Sequence, residues 1–270
     1  MSQTHGCVVV PCYNEERRLD LAQLADFIRR QSAIDLLLVN DGSRDQTGAL
    51  LARLQAEFPR RVQLLPLSPN RGKAEAVRRG LLAALEARPK FVGYLDADLA
   101  APCSAVERLS EVLDRCPEIE IALGIRLPLL GHSIERTVLR NQTGRLASAL
   151  CAATLGVSIR DTQCGAKLFR TTPGLERALA EPFCVNWMFD VELLARCIAA
   201  FPEGVSPGSA IYELPLDRWH DVQGSKLRWI DGPRSVLELA RLWRRYRWGA
   251  ARHATPAARP QEAPSRRRAA

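Results

Sequence analysis

The first half of the chain alternates short apolar runs with stretches of helical periodicity, and each run ends in polar residues. "GCVVVPCYN" precedes a predicted helix over 16–31, "DLLLVNDGS" one over 45–57, "VQLLPL" one over 73–87 and "FVGYLDAD" one over 103–115. Continuous apolar runs between helices are strands covered on both faces. The series therefore predicts an α/β fold of βαβ units: a mixed, mainly parallel sheet flanked by helices, with right-handed crossovers. In such sheets ligands sit beyond the carboxyl ends of the strands. Those ends hold Pro11, Tyr13, Asn14 and Glu15, then Asp41, Gly42 and Ser43, then Asn70, Gly72 and Lys73, then Asp96 and Asp98.

The acids of "YLDAD" set the chemistry. By period-two alternation Asp96 and Asp98 share one side of an extended segment. A carboxylate pair at the tip of a buried strand is costly unless a cation joins it. Two carboxylates suit a hard divalent ion, Mg²⁺ or Mn²⁺, that keeps waters and also binds substrate phosphates. Such an ion would neutralise a diphosphate leaving group, while Asp41 accepts hydrogen bonds from a nucleobase and Lys73 offers a positive charge. Neither G-x-G-x-x-G nor G-x-x-x-x-G-K-[ST] occurs, which removes the main support for dinucleotide and P-loop readings.

Charge and cysteine usage narrow the class. From Arg241 onward nine arginines face one acid, Glu262, so this stretch holds the whole formal charge of +8 and the body is neutral. That argues against a nucleic-acid groove and for a basic appendage. The eight cysteines form no C-x-x-C pair and predict reduced, mostly buried thiols. No apolar stretch approaches the roughly 18 residues of a membrane span, and the N-terminus has no basic region followed by a long apolar one, so a cytoplasmic protein is expected.

The order "VVVPCYNEE", "LLLVNDGSRDQT", "NRGKAEAVRRG", "YLDADLAAP", "GIR" resembles the family-two nucleotide-sugar glycosyltransferases of the GT-A fold over residues 6–126. "IRDTQCGAKLF" (159–169), "WMFDVELLARC" (187–197) and "WHDVQGSKL" (219–227) are similar to the dolichyl-phosphate β-glucosyltransferases and their polyprenyl-phosphate mannosyltransferase relatives. The resemblance implies a GT-A domain over 1–232, with a nucleotide-sugar half (1–126) and an acceptor half (127–232). Pro11, Tyr13, Asn14, Glu15, Asp41, Lys73, Asp96 and Gln163 would hold the donor. Asp96 and Asp98 would face the diphosphate and metal, with Asp98 the more direct ligand. Lys226 would close over the phosphates. Arg126 matches a position near the acceptor phosphate, as do Arg136 and Arg140. The relatives often carry glycines after the lysine of the "GK" loop and after the acidic pair, where this chain has Ala74, Glu75 and Leu99.

More than one donor and acceptor fit these motifs. UDP-glucose is favoured and GDP-mannose is the alternative. With a polyprenyl phosphate acceptor the nucleophile is already anionic and needs positioning and a stabilised leaving group rather than a base. With a hydroxyl acceptor, Asp190 is the base by motif. No Q-x-x-R-W match occurs, which disfavours a processive synthase. A nucleotidyltransferase would share the metal pair, and a non-catalytic sugar-nucleotide-binding protein would share Asp41. Beyond the domain, 233–249 reads as an amphipathic helix with Val236, Leu239, Ala240, Trp243 and Tyr246 or Arg247 at helical spacing. Residues 250–270 read as a disordered basic tail. Together they predict peripheral attachment to a membrane surface on its cytoplasmic face, with a membrane-anchoring partner protein as the other route.

Overall fold

The computed structural model describes residues 5–127, 133–134, 149–219 and 231–252. The expected βαβ series is present: β1 (Gly6–Cys12), α1 (Leu21–Arg30), β2 (Ile34–Asp41), α2 (Thr47–Glu57), β3 (Val62–Leu67), α3 (Lys73–Leu85), β4 (Phe91–Leu95), α4 (Cys103–Arg115) and β5 (Ile121–Ile125). β6 (Ser133–Ile134) and α5 (149–155) follow. Then come β7 (Ala166–Arg170), α6 (Pro173–Ala180), α7 (Phe189–Ala199), the short α8 (Pro207–Ala210), β8 (Ile211–Pro215), β9 (Arg218–Trp219) and α9 (Asp231–Arg252).

Seven strands form one sheet in the order β3-β2-β1-β4-β7-β5-β8, and β6 pairs with β9 in a separate ribbon. β1, β2, β3 and β4 run parallel, as does the β5/β8 pair. β7 enters antiparallel between β4 and β5. The sheet is thus mixed and mainly parallel. β1 alternates between two cores: Val9 joins α3, α6, α7 and α9 on one face, and Val8 and Val10 join α1, α2 and α4 on the other.

Several helix boundaries differ from the sequence reading, the second helix starting at Thr47 rather than residue 45. The first helix begins at Leu21 rather than residue 16, because Arg18 and Leu19 donate to the Glu15 carbonyl in a turn and Asp20 caps the helix through Gln23 N–H at 3.0 Å. The third helix ends at Leu85, before Arg88 turns left-handed. α9 runs from Asp231 to Arg252, longer than 233–249 at both ends, so residues 250–252 are helix rather than tail. The eight cysteines are thiols outside any disulfide and six are buried, in line with their scattered spacing.

β4 and β7 approach so closely that position 93 admits no side chain. A Cβ there would stand 2.1 Å from the Lys167 carbonyl oxygen and 2.4 Å from Leu168 Cδ2. Gly93→Ala should therefore push the two strands apart and cost about 1–3 kcal/mol. The check is a lowered urea midpoint with an unchanged slope; an unchanged midpoint would mean that the strands separate freely.

Candidate active site

The carboxyl ends of β1, β2 and β4 lie side by side, as parallel register requires. The loops after β1 and β2 are laced together. Asn14 N–H donates to Ser43 Oγ (3.1 Å), Glu15 N–H to Thr47 Oγ1 (2.7 Å) and Arg44 N–H to Asn14 Oδ1 (2.9 Å). Asn14 adopts φ 51°, a left-handed conformation that asparagine tolerates. Glu15 is buried and forms a two-point ion pair with Arg18 (2.6 and 2.8 Å). Pro11 and Tyr13 are half-buried beside it.

Asp41, at the end of β2, is buried and fixes the next loop. Its carboxylate accepts from Asn70 Nδ2 (2.9 Å), Arg71 N–H (2.8 Å) and Gly72 N–H (2.8 Å). This holds the chain through Gly72, whose φ of 88° needs glycine, into α3, where Lys73 is the first residue. The Lys73 ammonium lies 2.6 Å from Asp96 Oδ1. Desolvation works against that ammonium's charge, but Asp96 and Asp190 outweigh it and its pKa is raised.

The acidic pair lies in a turn just after β4 rather than in extended strand: Leu99 N–H donates to the Asp96 carbonyl (3.0 Å) and Ala100 N–H to Asp98 Oδ1 (3.2 Å). The alternation nonetheless holds in burial, with Ala97 and Leu99 inside and Asp96 and Asp98 half-exposed. Leu99 occupies φ 51°, a conformation that suits glycine and costs a leucine roughly 1–2 kcal/mol. Two polar atoms here are buried without an aligned hydrogen-bond partner, Asp96 Oδ1 and Gln163 Nε2. Asp96 Oδ1 is nonetheless ion-paired, with the Lys73 ammonium at 2.6 Å. Gly165 backs the other oxygen so tightly that a Cβ there would meet Asp96 Oδ2 at 2.2 Å.

Beneath these groups lies a network that the sequence reading did not contain. Lys167 is fully buried and donates to Asp190 Oδ1 (2.6 Å), the Cys164 carbonyl (2.6 Å) and the Tyr94 hydroxyl (2.9 Å), which uses all three ammonium protons. Tyr94 in turn donates to Asp190 Oδ1. Burial, with Asp190 adding to it, pushes the Tyr94 pKa well above its ordinary value and keeps the hydroxyl a donor. Arg126 grips Asp161 at two points (2.6 and 2.8 Å) and lies over the Trp219 ring at 5.1 Å. Burial resists both charges, yet each holds the other ionised: the Arg126 pKa is raised and that of Asp161 lowered.

The structure thus brings Lys73, Asp96, Asp98, Asp190, Arg126 and Gln163 to one end of β4 and β7. Arg136, Arg140 and Lys226 lie outside the described residues. Gly165, Lys167, Tyr94 and Asp161 were missed as site residues. The available signal was a lysine inside the apolar run "AKLF", which demands a buried anion.

Lys167→Met should leave Asp190 buried without its cation and cost about 3–5 kcal/mol, whereas Lys167→Met combined with Asp190→Leu should recover most of the loss. Urea unfolding of the two variants checks this. A single substitution as stable as the parent would contradict the pairing.

A family model described as "Glycosyl transferase family 2" matches residues 7–170. A dolichyl-phosphate beta-glucosyltransferase of Drosophila melanogaster is 33% identical, over 92% of this chain and 77% of its own. The Homo sapiens protein of the same name is 34% identical, over 82% of this chain and 68% of its own. Among solved structures, glucosyl-3-phosphoglycerate synthase from Mycobacterium tuberculosis in complex with uridine-diphosphate shares the fold, with a TM-score of 0.63 at 19% identity over 89% of this chain and 80% of that one. With most of its length matched by the family model and by relatives above 30% identity, the chain belongs to glycosyltransferase family 2.

Proposed function

We propose that the protein transfers a hexose, glucose by its relatives, from a uridine diphosphate donor to a polyprenyl phosphate. The observation that carries this reading is the Asp96–Asp98 turn facing Lys73, whose ammonium lies 2.6 Å from Asp96 Oδ1. The names of the relatives supply the lipid phosphate and the glucose. The uridine nucleotide comes from the fold neighbour's complex.

The acidic pair fits Mg²⁺ or Mn²⁺, and the same Mycobacterium tuberculosis synthase is known with Mn²⁺ and uridine-diphosphate-glucose. Asp98 and Asp96, whose Oδ1 also meets the Lys73 ammonium at 2.6 Å, would hold the ion. Among the described residues no third carboxylate, histidine or cysteine completes a cage. That suits an ion that fills its shell with water and substrate phosphate oxygens. When bound, the ion supplies charge neutralisation for the diphosphate as it leaves.

The chain's own residues do the rest. The interlocked β1 and β2 loops, with Pro11, Tyr13, Asn14, Glu15 and Asp41, form the wall for the nucleoside. Asp41 also fixes the loop that delivers Lys73 to the phosphates, and Gln163 offers an unused amide to the donor. A lipid phosphate oxygen attacks the anomeric carbon from the face opposite the diphosphate. The bond from that carbon to the diphosphate oxygen breaks, its electron pair leaves with UDP, and the configuration inverts. No base is required, which agrees with Asp190 being bound to Lys167 and Tyr94 instead of standing free to take a proton. Arg136, Arg140 and Lys226 are assigned to the acceptor and donor phosphates from the motif resemblance.

The test is incubation with radiolabelled UDP-glucose or GDP-mannose and polyprenyl phosphate in Mn²⁺. Label from UDP-glucose should enter the organic phase and be released by mild acid, and Arg140→Ala should reduce this transfer while sparing slow donor hydrolysis. Label from GDP-mannose alone would change the donor; label in neither case would overturn the lipid acceptor.

A further inference from the structure

Helix α9 presents two different faces. One is seated on the body: Leu239 and Leu242 are fully buried in the core shared with α7. Buried Glu238 accepts from Trp187 N–H and Met188 N–H, both at 2.9 Å, at the start of α7, the helix that carries Asp190. Tyr246 closes the far end of the contact, its hydroxyl 3.1 Å from both Arg196 Nε and Glu192 Oε1. This corrects the single stripe read from the sequence: Leu239 and Tyr246 turn inward, while Val236, Ala240 and Trp243 turn outward. The helix cannot roll its buried stripe toward another surface without breaking the Glu238 contacts.

The outward face is apolar and basic. Val236 is 50% exposed, Leu237 63% and Trp243 42%. At 3.6 residues per turn, Val236, Ala240 and Trp243 fall within about 60° of arc, with Arg244 and Arg241 flanking them beside Leu237. Arg241, Arg244 and Arg245 are exposed, and from 234 to 246 the only acid is the buried Glu238. Among the described residues no helix is long and apolar enough to cross a membrane.

We propose that this face of α9 docks the protein on an anionic lipid bilayer, with Trp243, Val236 and Leu237 entering the interface and the arginines meeting the head groups. The partner follows from charge complementarity: an exposed apolar strip bordered by arginine, without an acid, fits a negatively charged surface that is apolar just beneath. The dock deepens the lipid-phosphate reading by stating how a chain of this kind reaches its acceptor. Because α9 is bolted to α7, the dock also stands beside the Asp190 end of the site.

The experiment is flotation of the full chain with phosphatidylcholine vesicles, with and without phosphatidylglycerol, at low and high salt. The parent should float with phosphatidylglycerol at low salt and be released by salt. Arg241→Ala and Arg244→Ala should each weaken partitioning about fivefold. Val236→Glu combined with Trp243→Glu should abolish flotation while circular dichroism and the melting temperature are kept. A parent that stays soluble with anionic vesicles at low salt would overturn the proposal. So would a double variant that floats like the parent, or a parent dimer in solution that the double variant dissociates, since the face would then belong to a second copy. Transfer to a short-chain, water-soluble prenyl phosphate separates the two readings. Flotation that persists when no such transfer occurs upholds the dock and overturns only the acceptor; transfer retained by a double variant that no longer floats supports both.

Discussion

The buried contact between Lys167 and Asp190 is the constraint around which the site is assembled. Charges removed from water are tolerated only when their partners are fixed, and here the partners come from three elements: Lys167 from β7, Tyr94 from β4 and Asp190 from α7. β7 must therefore enter between β4 and β5 in one register, Tyr94 opposite Lys167. That register places Gly93 against the β7 backbone and Gly165 against Asp96, and at both positions a methyl group would collide. The orientation of the Asp96 carboxylate is thus fixed from behind by a glycine and from the front by Lys73.

The parallel half of the sheet was legible because its strands are continuous apolar runs and its loops begin with polar residues. What local patterns do not carry is long-range pairing. "AKLFR" is too short and too interrupted by charge to announce an internal antiparallel strand, and it is stable there only because Asp190, more than 20 residues away, neutralises Lys167. Asp41 illustrates a different limit. Its place at a strand end was readable, but its three bonds to the 70–72 loop are not, since they depend on how that loop folds back. On α9 the apolar spacing was visible, but which residues turn inward was decided by Glu238 finding the free N–H groups of α7.

Glu75 and Leu99, which stand where the motif resemblance led one to expect glycine, have local physical roles. Glu75 follows the Lys73 loop and forms ion pairs with Arg78 and Arg79, which hold its pKa down to about 2 against burial. Arg78 continues to the Leu179 carbonyl at 2.8 Å, so this acid ties α3 to the end of α6. Leu99 keeps the left-handed turn that a glycine would make without strain and adds a buried side chain in return. Both changes leave Lys73, Asp96 and Asp98 converging at the end of β4.

The central claim is that Asp96 and Asp98 recognise the donor diphosphate through a divalent ion. The most direct measurement is calorimetric titration of UDP-glucose into the parent and into Asp98→Ala, each with and without Mn²⁺. The account predicts tight binding in one combination only, the parent with Mn²⁺, and a loss of tenfold or more, about 1.4 kcal/mol, in the other three. Equal affinity in all four would contradict it.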